Sequence, residues 1–375
     1  MPESRKGTRL NDTSREGESR GLARRLLSAL RIVPTDDIHE AYRFLEDVQL
    51  DGKPVAVAKW PSTRYHIYWP NWVKRPVTLV YNQLALLVQL ARGLAQGRVV
   101  IVREYTNFAM ALVAPVLWPW RNRIIFNVND NLAPQLSALS RGSLHLMRRC
   151  GFRFMLLDGA HVQHELEARL GAMHLLTPYF SVTDRRDRSA ARTHQRSRFR
   201  VGFVGYFRPD KGGVDALADA IRALQQLPDV EVALGYWNRA QAEQLPADVR
   251  DELVLHETLR YPDYLAFLSS CDAIIVLATP AYLLRHSGVL VDSVSRGTPV
   301  LCPEYPLLAF QALQPVPVGA TYATLDELPK RVQEVKTRYR ELKGNFDEYF
   351  RVRSPRSVGV QLARQWNQDF RTRAA

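Results

Sequence analysis

A chain of 375 residues, 46% hydrophobic and 24% charged, is long enough for two cores and has the composition of an ordinary globular protein. Its three cysteines, Cys150, Cys271 and Cys302, lie far apart with no C-x-x-C pair, which speaks against a disulfide scaffold or a zinc site and fits a reducing cytosol. The net charge is +13, but residues 1–200 hold 31 Lys and Arg against 17 Asp and Glu while the rest is balanced at 20 against 21, so one half alone favours a polyanionic partner: nucleic acid, acidic lipid headgroups or a diphosphate.

The first twenty residues, MPESRKGTRLNDTSREGESR, are polar and charged, carry no secretory signal and read as a disordered basic tail. GLARRLLSALRIV (21–33) can open as a basic amphipathic helix, and ALRIVP (29–34) reads as a first strand. Further strands are expected at PVAVAKW (54–60), YHIYW (65–69), RVVIVRE (98–104), RIIFNVN (123–129) and FMLLDG (154–159). Apolar residues at helical spacing mark IHEAYRFLEDVQL (38–50), VYNQLALLVQLARGLA (80–95) and NFAMALVAPVLW (107–118).

The Arg-rich stretch 181–199 is the natural linker to a second block. There the strands RVGFVGYF (200–207), VEVALGYW (230–237), LVLHET (253–258), AIIVLA (273–278) and PVLCPE (299–304) alternate with helices at 213–227, 261–271 and 287–297, before a charged helical tail at 327–372. Alternation of this kind implies parallel sheets covered on both faces, and two such units place a ligand cleft between their C-terminal strand edges.

Tryptophans are interleaved with cations in YWPNWVKRP (68–76) and LWPWRNR (117–123), the pairing found at membrane interfaces, although solvated faces and core aromatics would read the same way. No nucleic-acid signature accompanies the charge. The longest apolar stretch, FAMALVAPVLWPW (108–120), is too short to span a bilayer and contains two prolines, so the chain is expected to be soluble or peripheral.

Two loops of the second block suit an anion. In GYFRPDKGG a strand ends at Gly205, and Arg208 and Lys211 precede a helix opened by Gly212 and Gly213. In RHSGVLVDSVSRGTPVLCPE, Ser287 is a good N-cap and Gly288 permits close approach to the free N–H groups of the first turn. Asp292 stands four residues beyond Gly288, on the same helical face, and His286 adjoins Ser287. Glu304 ends the following strand. No His, Cys and carboxylate spacing looks like a metal site.

In this order the segments resemble the nucleotide-sugar transferases of the GT-B fold over residues 200–305: GYFRPDKGG their Gly…Arg…Lys-Gly loop, YPDYLAFLSSCDAIIVLATP their helix and "CD" strand, and SGVLVDSVSRGTPVL their SG-x-x-x-x-E-A-x-x-x-G-x-P-V helix. YHIYWPNW and NDNLAP are similar to segments of bacterial exopolysaccharide glycosyltransferases, including xanthan-type mannosyltransferases. The resemblance implies an α/β chain of two Rossmann-like domains with parallel sheets facing a cleft. It would divide into the tail 1–20, an acceptor domain 21–180, the linker 181–199, a donor domain 200–326, and helices 327–375 packing back towards the N-terminal domain.

It further implies that Arg208 and Lys211 neutralise a donor diphosphate, with Gly205 at the strand end, that Ser287 and Gly288 cradle its oxygens, and that Asp292 replaces a Glu on the ribose. His286 and Glu304 would lie near phosphate and ribose. The retaining branch carries Glu-x7-Glu, whose first position here is Leu284. An inverting displacement needs a general base, for which Asp130 stands first, Glu104 second, and Asp36 and Asp37 third. Each has a plainer reading: Asp130 as a turn cap, Glu104 as an ion pair, Asp292 as a solvated residue, and His66 and His286 as structural histidines.

The expected protein is a metal-independent hexosyltransferase without cofactor, cytoplasmic or peripheral at the inner membrane face. It would use a nucleotide diphosphate sugar, a saccharide or polyprenyl-diphosphate-linked acceptor and an anionic membrane surface, with no nucleic acid. Two alternatives remain: a non-catalytic GT-B-like scaffold or activator, and a nucleotide-sugar epimerase of the same fold.

Overall fold

The run VVIV at 99–102 carries no polar side chain, as suits a strand covered on both faces, and all four residues are buried. Val99 and Ile101 join one apolar cluster and Val100 and Val102 another, so the two faces of the sheet have separate cores. The computed structural model describes residues 44–45, 47–58, 71–103, 105–128, 137–186, 197–205, 209–236, 239–258 and 260–374. The tail 1–20, the segment 21–33, the strands expected at 29–34 and 65–69, and Asp36, Asp37 and His66 lie outside the described residues.

The N-terminal unit runs β1 (Gln49–Leu50), β2 (Lys53–Ala58), α1 (Asn71–Ala95), β3 (Val99–Val102), α2 (Asn107–Leu117), β4 (Ile124–Asn127), α3 (Ala138–Arg149), β5 (Arg153–Met155), α4 (Gln163–Leu170) and β6 (Leu175–Leu176). Its sheet has the order β1-β2-β3-β4-β5-β6, parallel except for β1. Because β2 to β5 follow chain order and such crossovers are right-handed, α1, α2 and α3 lie side by side on one face. Gln83 of α1 donates to Thr106 at the start of α2 (3.1 Å), and Asn107 of α2 donates to Ser140 of α3 (3.3 Å), which ties the layer together.

The C-terminal unit runs β7 (Phe199–Val204), α5 (Gly213–Gln225), β8 (Val230–Tyr236), β9 (Val254–Glu257), α6 (Tyr261–Ser270), β10 (Ala273–Ile275), α7 (Gly288–Ser295), β11 (Val300–Pro303), α8 (Pro306–Leu313) and β12 (Gly319–Tyr322). Its wholly parallel sheet has the order β12-β11-β10-β7-β8-β9, so the direction of winding reverses between β7 and β10. Leu217 and Ile221 of α5 pack on Val201 and Phe203, while Tyr264 and Leu268 of α6 pack on Ala233 and Ile274 across the sheet.

Three further helices follow, α9 (Leu328–Thr337), α10 (Tyr339–Arg353) and α11 (Pro355–Ala374). Leu362 and Trp366 of α11 share a core with Ile101, Ile125 and Met155, on the face of the N-terminal sheet that α1 to α3 leave open. Arg153 of β5 is fully buried under the Trp366 ring (4.2 Å) and pairs with Asp369 at 2.5 Å.

At the junction, Arg353 and Asp158 form an ion pair of 2.8 Å with neither side chain exposed. Gln311 of α8 donates to the other Asp158 oxygen (3.1 Å), and Arg353 also donates to the Gln314 carbonyl. Burial raises the Asp158 pKa above the usual carboxylate value, against the downward pull of Arg353. Tyr179, Phe180 and Tyr349 enclose the guanidinium.

Several expectations need correction. The helix read at 38–50 does not reach its end: Gln49–Leu50 is a strand, turned back by Asp51 and Gly52, both at positive φ, into a two-residue hairpin. Helix α3 was not expected between the strands at 123–129 and 154–159, although Ser137 caps it through the Ser140 N–H. Nor were α8, β12 and β6. The linker read from 181 begins later in structural terms, since Ser181 and Val182 are buried and the Val182 N–H donates to the Arg353 carbonyl (2.8 Å).

Replacing Arg353 by Met leaves the Asp158 carboxyl buried without its cation and is expected to cost about 3–5 kcal/mol of stability. Denaturant melts should show part of that loss recovered when Asp158→Asn is added, because Asn removes the buried charge and tolerates the left-handed backbone at this position (φ 56°).

Candidate functional site

The expected anion loops meet at the reversal of strand order. Gly205 follows β7 at φ 111°, where a Cβ would stand 3.2 Å from the Lys211 ammonium and 3.9 Å from Val289 in the first turn of α7. The absence of a side chain at Gly205 therefore lets Lys211 fold back over the strand end beside that helix start. Gly212 and Gly213, also at positive φ, lead the chain from Lys211 into α5.

Ser287 caps α7 as its residue type predicts: it is buried, and its hydroxyl accepts from the Leu290 N–H at 3.4 Å. The N–H groups of Gly288 and Val289 then lie at the mouth of a helix, where the helix itself supplies no acceptors. Together with the Lys211 ammonium they form a positive corner of the kind that holds phosphate.

A cleft of about 300 Å³ opens beside this corner, between the loops that follow β7, β10, β11 and β12. Lys211, Gly212, Thr279, Tyr305, Ala323 and Leu325 are among its lining residues. A smaller cavity of about 30 Å³, bounded by Lys211, Gly213, Val276 and Val289, adjoins it and has room for about one water molecule. Tyr322 and Tyr305 donate to the carbonyls of Val276 and Ala278 and so brace the loop after β10.

Asp292 is partly buried one turn into α7 and accepts from the Tyr264 hydroxyl at 3.0 Å. It is therefore not a solvated residue, because its carboxylate is held from α6. Burial and the neighbouring carboxylate keep the Tyr264 phenol protonated, a permanent donor. The partner was missed because Tyr264 is 28 residues away and nothing in YPDYLAFLSSC marks which face meets α7.

His286 is partly enclosed, and burial, helped by the Arg103 guanidinium, pushes its pKa down to about 3. The imidazole is thus neutral at physiological pH and brings no charge to the anion site. Arg103 directly follows β3, so the loop before α7 faces the C-terminal edge of the N-terminal sheet. Leu284, at the first Glu-x7-Glu position, is buried in the N-terminal core with Leu307.

Glu304 is turned away. Its neighbours Pro303 and Tyr305 line the cleft, whereas its own carboxylate accepts from Thr321 (3.2 Å) and lies 3.9 Å from Arg331. The Thr321 hydroxyl on β12 is its nearer partner, and Arg331 on α9 lies closer to Glu334 and Glu327. Arg208, Asp130 and Glu104 lie outside the described residues. Among the described residues, no group of three or more His, Cys, Asp and Glu is placed to hold a metal ion. No described helix is long and apolar enough to cross a membrane.

The depressed His286 pKa carries a pH signature. Between about pH 6.5 and the folded-state value of about 3, the unfolded chain binds a proton that the folded chain does not. His286 therefore contributes stability above that window and loses it as pH falls. The stability of wild type relative to His286→Gln should decline from pH 7 to pH 5 in paired denaturant melts.

No family model matches the chain, and no curated protein does. Solved structures resemble it over most of its length. HepE from Anabaena, in complex with UDP, aligns with a TM-score of 0.54 at 16% identity, covering 78% of this chain and 83% of its own. A UDP-forming α,α-trehalose-phosphate synthase from Burkholderia xenovorans gives 0.55 at 12%, covering 84% and 81%. The α,α-trehalose 6-phosphate synthase from Burkholderia multivorans gives 0.55 at 11%, covering 82% and 79%. The likeness extends across both α/β units: the chain has the GT-B fold, two Rossmann-like units with parallel sheets.

Proposed function

We propose that the chain is a glycosyltransferase that takes a hexose from a UDP-sugar and passes it to the hydroxyl of a lipid-linked saccharide acceptor. The observation that carries the reading is the meeting of the Lys211 ammonium with the capped start of α7 at the reversal of strand order. HepE was solved with UDP on a similar fold, which favours uridine in the donor. In this reading the diphosphate lies against Lys211 and the Gly288 and Val289 N–H groups, with Arg208 as a second cation. The nucleoside extends into the cleft past Tyr305, and Asp292, oriented by Tyr264, takes a ribose hydroxyl.

Fixed positive groups at the diphosphate stabilise charge as it develops on the leaving group, with no need for reorganisation. The apolar Leu284 leaves the retaining pair without its first carboxylate, which supports displacement with inversion. The acceptor oxygen bonds to the anomeric carbon, the bond from that carbon to the phosphate oxygen breaks with its electrons onto UDP, and the acceptor proton passes to the base. Asp130 is assigned as that base and Glu104 as its alternate. The lipid-linked acceptor, a role in surface polysaccharide assembly and work at the cytoplasmic membrane face belong to the same reading, supported by the basic N-terminal half.

A thermal-shift panel of UDP, UDP-sugars and other nucleotide sugars, without added metal, tests the donor. Saturation at a hundred times Kd should stabilise by about 2.7 kcal/mol. Lys211→Ala should weaken UDP binding by about tenfold or more, the worth of one charge-assisted contact. Asp130→Asn should keep UDP binding while transfer from the donor falls by about 10²–10⁴-fold in a product assay. If no nucleotide raises the melting temperature, a non-catalytic scaffold becomes the better reading, with Leu284 as the trace of the lost carboxylate.

A further inference from the structure

Helices α1 and α2 carry apolar residues on both sides, and α3 adds two exposed leucines among its arginines. Their inner faces bury Leu86, Leu90 and Leu94, then Met110 and Ala114, then Leu144 and Met147. Their outer faces present Val80, Leu84 and Val88 on α1, Phe108, Leu112 and Val116 on α2, and Leu139 and Leu146 on α3. Spacings of four and seven place each set in one stripe along its helix. Val88, Leu112 and Val116 are 66%, 64% and 71% exposed, so these are not rim residues of the core. A second apolar stripe on the outer face of a helix layer marks a surface that meets lipid or another partner, and among the described residues no further element covers it.

The stripes run side by side, since α1 is tied to α2 and α2 to α3 by the Gln83–Thr106 and Asn107–Ser140 hydrogen bonds. At the end of α2 they continue into Trp118 and Trp120, 49% and 42% exposed, with the Arg121 guanidinium 4.2 Å above the Trp118 ring. From residue 71 to residue 157 the sequence carries 11 Lys and Arg against two acidic residues. Arg92, Arg141 and Arg149 of the same helices are exposed.

We infer that this three-helix face docks on an anionic lipid bilayer, with its aliphatic stripes entering the acyl boundary, Trp118 and Trp120 at headgroup level, and the arginines against lipid phosphates. Charge decides between occupants. A second copy would bring two surfaces of the same sign together, whereas anionic headgroups neutralise them. The assignment deepens the lipid-linked acceptor reading, on which it rests for its biological sense: the domain that docks is the one whose strand edge faces the loop before α7.

The test is flotation of the full chain with vesicles of phosphatidylcholine alone or mixed with phosphatidylglycerol, beside the same chain carrying Leu84→Glu, Leu112→Glu and Val116→Glu. These positions are exposed, so the variant should fold, and an unchanged UDP-induced thermal shift reports that it has. The inference requires wild type to float with the mixed vesicles, binding to weaken as salt rises, and the variant to bind at least about tenfold more weakly. Equal flotation of variant and wild type overturns it, as does no flotation of wild type. A wild-type dimer in light scattering that the variant abolishes, without vesicle binding, overturns it in favour of a second copy. Flotation without any UDP shift in wild type refutes the donor reading and leaves the docking face standing, with the variant's fold then reported by its circular dichroism.

Discussion

Two charges buried together hold the helices that follow the second unit against the first. Asp158 leaves the N-terminal sheet, Arg353 ends the fifteen-residue helix α10, and Gln311 comes from α8 of the other unit. Desolvating such a pair costs several kcal/mol per ion, and attraction offsets that cost only if the geometry is good and the remaining polar atoms are satisfied. Here Gln311 and the Gln314 carbonyl supply those bonds, and aromatic rings surround the guanidinium. An alternative seating of α10 on the N-terminal unit would leave two ions in an apolar interior. Once α10 is fixed, α11 follows directly and its Trp366 reaches Arg153.

The candidate site depends on the same arrangement by a second route. The loop from Leu284 to Ser287 is built into both units, since Leu284 is buried in the N-terminal core while Ser287 caps a helix of the C-terminal one. The charge there is segregated. Lys211 brings its cation to the helix mouth, His286 is held neutral, and Asp292 is occupied by Tyr264 one turn deeper. Positive potential is therefore concentrated at one corner of the cleft.

Much of this was legible in the sequence where local chemistry decides the outcome. Ser287 before an apolar helix, Gly205 after an apolar strand and the strand–helix alternation from 200 to 303 needed no distant partner to be read. What escaped was set by competition or distance. At Gln49–Leu50 the helical spacing of IHEAYRFLEDVQL was overridden by the Asp-Gly turn, a signal that was present and outweighed. Glu304 looked like a cleft residue from its place after a strand, but its carboxylate accepts from Thr321 on the neighbouring strand. Tyr264, Arg153 and Arg353 act through partners 28, 216 and 195 residues away, and no spacing rule reports such pairings.

The seating of α11 has a consequence for the order in which the molecule can be made. The face of the N-terminal sheet that carries Ile101, Ile125 and Met155 is completed by Leu362 and Trp366 of α11, which lies beyond the whole second unit in the sequence. During synthesis that face lacks these two side chains while the entire second unit is translated. Domains of a long chain often fold one after another as they leave the ribosome. Because Leu362 and Trp366 come from beyond the second unit in the sequence, the packing of this face couples the folding of the first unit to the synthesis of the second.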